Sequence, residues 1–189
     1  MSVIVPAMLA SERLRPLKRV EYDRLVELGC FQDERIELLE GQLFAMSPPG
    51  PGHNDVTIKL NMLFAQAVGK RALVQVQGPF AASDDSEPQA DLALLPSQDY
   101  SRAHPERAYL LIEVAESSLR RDRLIKAALY ARAGVAEYWI VNLADGVIEV
   151  HRGPRNGHYG SVTTHGPGET IRPEAFADIE VSIADILPR

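Results

Sequence analysis

The chain has 189 residues, a formal net charge of −6 and a pI of about 5.4. That balance excludes a nucleic-acid binder working through one broad basic face, and leaves room only for a local basic patch. One cysteine, Cys30, excludes an internal disulfide and a multi-cysteine zinc site, which fits a reducing cytoplasm. Residues 1–17 contain a brief apolar stretch with no basic leader, and are expected to form a flexible N-terminal arm. No apolar run is long enough to span a bilayer. A single domain is expected over residues 18–189.

In chain order, "KRVEYDRLVELG" spaces Val20, Leu25 and Leu28 near the helical period and stops at Gly29. "RIELLEGQLFAM" reads as an N-terminal hairpin around Glu40-Gly41, and "SPPGPG" as a rigid turn. Val56, Leu60, Leu63, Phe64, Ala67 and Val68 mark an amphipathic helix from His53 to about Gly69. Strands are expected at "ALVQVQ", "GPFAA", "ADLALL" and "AYLLIEV", with polar loops between them. "SSLRRDRLIKAALYARAG" is a helix that Ser117 or Ser118 can cap and Gly134 can end. "AEYWIVN" and "GVIEVHR" form a hairpin around Asp145-Gly146. From Gly153 onward, Gly and Pro separate short strand-like pieces, ending in a turn of helix at "SIADIL". This order predicts an α/β fold, a mixed central sheet flanked by helices.

The chemistry concentrates around "LLIEVAE". Glu113 stands in a strand that is apolar on both faces, so it is either a surface residue at a strand end or a buried acid with a partner. Asp91 opens the strand "DLALL". If the two strands are neighbours, these carboxylates converge and repel unless a proton or cation lies between them. Mg²⁺ or Mn²⁺ suits such oxygens, and the Val114 carbonyl could add a third. Asp91 alone could equally cap a turn.

Asp122, Lys126 and Tyr130 follow at i, i+4, i+8 on the next helix, so Lys126 can lean over the acids; alone, it would be an exposed partner of Asp122. Arg120, Arg121 and Arg123 crowd that helix's first turn, against its dipole. They are either solvated or phosphate contacts. Glu37 is a further acidic candidate or an ordinary strand residue. His53 caps or packs, or else shuttles protons. The other histidines show no metal-ligand spacing.

"SEPQADLALL" with "LLIEVAESSLRRDRLIKAALYARAGVAEYWIVNL" resembles the Uma-two family of restriction-endonuclease-like proteins, within the PD-(D/E)XK nuclease superfamily. "ERIELLEGQLFAMSPPGPGH" resembles that family's N-terminal hairpin and helix start. The likeness spans roughly residues 18–187. It implies a restriction-endonuclease-like fold with a C-terminal β-rich extension. It implies Mg²⁺- or Mn²⁺-dependent cleavage of phosphodiesters in nucleic acid, double-stranded DNA above all, by a cytoplasmic homodimer. Asp91 takes the place of the motif aspartate and Glu113 that of its second acid. Two positions later, where the superfamily has its lysine, stands Ala115; Lys126 matches a lysine supplied from the next helix. Glu37 matches the N-terminal glutamate near the metal, and Tyr130 a family position; Arg120, Arg121, Arg123, His53 and Tyr130 are the candidate nucleic-acid contacts. Ala90 departs from the motif proline. The alternative is a non-catalytic binding or scaffolding module that retains the nuclease fold.

Overall fold

The structure, a computed structural model, describes residues 15–188; positions 1–14 of the expected arm fall outside them. Helix α1 (Arg19–Glu27) leads to the hairpin of β1 (Ile36–Leu39) and β2 (Gln42–Ala45). Its turn residues Glu40 and Gly41 sit at φ 53° and 75°, as a two-residue primed turn requires. A side chain at Gly41 would also strike Pro16, whose Cβ lies 2.2 Å from the place a Cβ would take. Helix α2 (Pro51–Val68) begins two residues before His53, because Pro51 already has the φ of a first helical turn.

Strands β3 (Leu73–Pro79), β4 (Gln89–Leu95) and β5 (Leu110–Ala115) come next. "GPFAA" forms no strand of its own. Gly78 and Pro79 end β3, while the Phe80 and Ala81 amides bond to the carbonyls of Pro88 and Pro105. Helix α3 runs through three segments, Leu119–Arg121, Asp122–Lys126 and Ala127–Arg132, and the middle one is a π turn. Strands β6 (Glu137–Asn142), β7 (Val147–Arg155) and β8 (His158–His165) follow. The tail pairs β9 (Thr170–Ile171) with β10 (Val181–Ser182) and ends in α4 (Ile183–Ile186), at the expected "SIADIL".

The central sheet has six strands in the order β3-β4-β5-β6-β7-β8. Only the β5–β6 pair is parallel, and α3 makes the crossover it needs. The region from Gly153 is more regular than expected. Gly153–Arg155 extend β7, and β8 pairs with it along an eight-residue strand. The left-handed pair Asn156-Gly157, at φ 52° and 76°, closes this hairpin. Gly157→Ala should cost about 1 kcal/mol, the strain of a Cβ in that conformation, read as a lower unfolding midpoint in urea.

Strand alternation divides the core in two. Leu92, Leu94, Leu110, Ile112, Val114 and Trp139 face α2 and the tail, where Phe64, Phe176 and Ile183 meet them. Ala93, Leu95, Leu111, Ala115, Tyr138 and Ile140 face α3, against Leu129 and Tyr130. Period-two alternation therefore sends Asp91 and Glu113 toward α3, not toward α2. Among the described residues no helix is long and apolar enough to cross a membrane.

Candidate active site

The β4–β5 ladder ends at Leu92–Ile112. One step beyond, Gln77 of β3 drops out of register opposite Asp91 with φ 48°, and the sheet opens there. Asp91 Oδ2 fills the gap by accepting the Val114 amide at 2.8 Å. The N–H and C=O of one strand residue leave on the same side, so the Val114 carbonyl also faces this opening. His53, in the first turn of α2, places Nε2 at 3.1 Å from the same Asp91 oxygen. That hydrogen bond raises the pKa of His53 against the opposing effect of burial.

Glu113 is 4% exposed. Its Oε1 accepts from Lys126 Nζ at 3.0 Å and from the Tyr130 hydroxyl at 2.8 Å. Lys126 also reaches Glu37 Oε2 at 3.0 Å and the Gln89 carbonyl at 3.4 Å. Glu37 Oε2 accepts the Gln89 amide at 3.2 Å, and Glu37 Oε1 lies 3.5 Å from Arg121 Nε. Asp122 turns aside to Ser118 Oγ at 2.5 Å and does not pair with Lys126. The π turn supplies this geometry. It widens α3 between Asp122 and Lys126, so that Lys126 and the following Tyr130 both project onto Glu113.

Glu37, Asp91, Glu113 and Asp122 are all buried here around the single buried ammonium of Lys126. Burial alone would depress Lys126; the Glu113, Glu37 and Asp122 carboxylates outweigh it and raise its pKa, so it stays charged. Burial pushes Glu113 well above the usual carboxylate range despite the pull of Lys126, and Asp91, Asp122 and Glu37 add repulsion. Lys126 stays charged, and the surplus of negative charge around it binds a proton more readily than an ordinary carboxylate does. A cation can take the place of that proton.

His53, Asp91, Glu113, Val114 and Lys126 line one cleft of about 660 Å³, together with Arg120 and Arg121. Asp91 Oδ1 and Glu113 Oε2 accept no hydrogen bond from any described residue. Two free carboxylate oxygens on one wall, with a backbone carbonyl nearby, fit a hard divalent ion such as Mg²⁺ or Mn²⁺.

The profile of the family described as "Putative restriction endonuclease", Uma2, matches residues 20–184. The chain belongs to the Uma2 family. Among solved structures, the chain is similar to a crystal structure of a "putative nuclease belonging to DUF820" from Anabaena variabilis. The TM-score is 0.73 at 15% identity, covering 90% of this chain and 97% of that one. At that identity the likeness speaks to the fold, a mixed sheet between helices. No curated protein matches the chain significantly.

In this Uma2 chain the expected site residues do not all face the cleft. Tyr130, expected beside nucleic acid, is fully buried and tied to Glu113. Arg123 leaves the cleft, because Glu149 on β7 takes its Nε at 3.0 Å and its Nη2 at 2.5 Å. Gln89 and Glu116 went unremarked in the sequence. Gln89 stands two positions before Asp91 and its backbone serves both Glu37 and Lys126. Glu116 lines the cleft just past the Glu113 strand.

Burial pushes Glu149 up, but the bonds from Arg123 outweigh it and hold the carboxyl below its usual value of 4.5. A depressed folded pKa contributes stability above the unfolded value, and that contribution is lost as pH falls through the folded one. Arg123→Met should therefore cost about 1 kcal/mol near neutral pH, a modest figure because Arg123 is half exposed. The difference from wild type should shrink below about pH 4.5 in urea titrations across that range.

Proposed function

We propose that this chain is a metal-dependent endonuclease that hydrolyses phosphodiester bonds of nucleic acid, with duplex DNA as substrate. The observation that carries this reading is the wall shared by Asp91 and Glu113, with one oxygen of each free and Lys126 bound to Glu113.

Asp91, Glu113 and the Val114 carbonyl would hold Mg²⁺ or Mn²⁺. Such an ion, when bound, polarises the phosphate and makes a water more acidic. The chain's own residues do the rest. His53 and the Val114 amide fix Asp91 Oδ2, leaving Oδ1 without a hydrogen bond from any described residue. Tyr130 and Lys126 fix Glu113 Oε1, leaving Oε2. Glu37 anchors Lys126 from behind. The three ammonium protons go to Glu113, Glu37 and Gln89, and the 3.4 Å contact to Gln89 is the one that a phosphate oxygen can most easily replace. Arg120 and Arg121 sit on the cleft rim as contacts for flanking phosphates. In hydrolysis the water oxygen bonds to phosphorus, and the departing sugar oxygen leaves with a proton.

We read residues 18–189 as one folding unit, since Val56 of α2 and Leu187 near the C-terminus share one apolar cluster. A homodimer would offer one cleft to each strand of a duplex; sedimentation velocity should then give a twofold mass.

The test is conversion of supercoiled plasmid to nicked circles in Mn²⁺, stopped by chelator. A protein inert on duplex and single-stranded DNA and RNA would instead be a scaffold that keeps the nuclease fold.

A further inference from the structure

One buried acid takes no part in the cleft. Glu87 lies on the stretch leading into β4 and is 4% exposed. Its amide bonds to the Leu38 carbonyl at 2.7 Å, which fixes the backbone. Its carboxylate accepts no hydrogen bond from any described residue, and Oε2 is sealed from solvent. The nearest cationic groups stand off: Arg19 Nη1 is 3.8 Å from Oε2, and His104 Nε2 is 3.8 Å from Oε1. Both distances are too long for hydrogen bonds. A carboxylate this deep with no hydrogen bond is costly.

Asp23 of α1 points at the same place. One carboxylate oxygen each from Asp23 and Glu87 and one ring nitrogen of His104 all lie within 4.8 Å of one another. The three residues come from α1, from the stem of β4 and from the loop before β5, so tertiary folding alone brings them together. Two acids converge where like charges should separate. Burial, and then Asp23, push the Glu87 carboxyl up to about 7, while Arg19 offsets only part of this.

We propose that Asp23, Glu87 and His104 form a second cation site, distinct from the cleft, that takes a divalent transition ion, zinc foremost. The donors select the ion. Imidazole nitrogen with carboxylate oxygens suits zinc, whereas magnesium prefers oxygen throughout. None of the three lines the cleft. His104 is exposed and gives the ion a way in, while Glu87 supplies an oxygen from a buried side chain. The bound ion ties the loop before β5 to α1 and to the stem of β4, four residues ahead of Asp91. It is therefore a clamp on the strand that carries the cleft's first acid, with no part in bond cleavage.

The experiment uses the full chain, stripped with chelator and titrated with ZnCl₂ while thermal unfolding is followed. Zinc should raise the Tm of wild type and of Glu113→Gln alike. His104→Gln, a change at an exposed side chain, should abolish the rise, and Asp23→Asn should weaken binding by at least about tenfold. Co²⁺ in place of zinc should give a visible absorption band that His104→Gln removes. The proposal is overturned by a wild-type Tm that ignores zinc up to about 1 mM, since a site that binds must shift it. It is equally overturned by a rise that survives in His104→Gln, or by one lost in Glu113→Gln, which would put the ion in the cleft.

Discussion

Lys126→Met should lose about 3–5 kcal/mol of stability, the cost of removing one partner from a buried ion pair, together with all cleavage. Lys126 is 1% exposed and touches two buried glutamates, so methionine fills its volume but cancels none of their charge. Glu37 and Glu113 are then left with the weaker help of the Gln89 amide, Arg121 and Tyr130. The variant should recover as pH falls, because Glu113, which burial already holds high, takes up a proton and removes the repulsion. Urea unfolding at neutral pH and near pH 5 checks this. Equal loss at both values would mean that the lysine packs and does not neutralise.

Asp91→Asn should behave in the opposite way. An asparagine oxygen can still accept the Val114 amide, so the sheet opening survives and stability should change by less than about 1.5 kcal/mol. Cleavage in Mn²⁺ should fall at least about a thousandfold, or about 4 kcal/mol of barrier, because the side chain that lines the cleft loses its charge. The pair of variants separates two roles. On the proposed reading Lys126 supports both the fold and the site, whereas Asp91 is costly to lose only for the chemistry. A Lys126→Met protein that melts early and an Asp91→Asn protein that melts normally but cannot cut are the expected outcomes.

The acid pair was legible because alternation is local. "DLALL" and "LLIEVA" each fix which positions share a face, and neighbouring strands then bring positions 91 and 113 together. Lys126 was legible from its spacing to Asp122 and Tyr130, which lets it lean over the acids, but its second anchor on Glu37 was not. The π turn carries the ammonium to Glu113 and Glu37 and leaves Asp122 aside. One extra residue in a helical turn leaves no mark on hydrophobic periodicity. Tyr130 and Arg123 were misread for a related reason. Both are polar at one end, and only tertiary contacts show that one tip is buried against Glu113 and the other is held by Glu149. In the tail, Gly153 and Pro154 looked like breakers. Both lie within β7, where Pro154 pairs with Tyr159 on the edge strand β8. The gathering of Asp23, Glu87 and His104 had no local signature, since three unrelated segments supply it.

The account depends most on Asp91 and Glu113 binding a divalent ion together. The direct measurement is the Tm of the His104→Gln protein, which removes the second site, as Mn²⁺ is added. At a hundredfold excess over Kd, the gain should reach about 2.7 kcal/mol. It should vanish when Glu113→Gln or Asp91→Asn is introduced in the same background. A Tm indifferent to Mn²⁺, or a gain that both substitutions leave intact, would contradict the account.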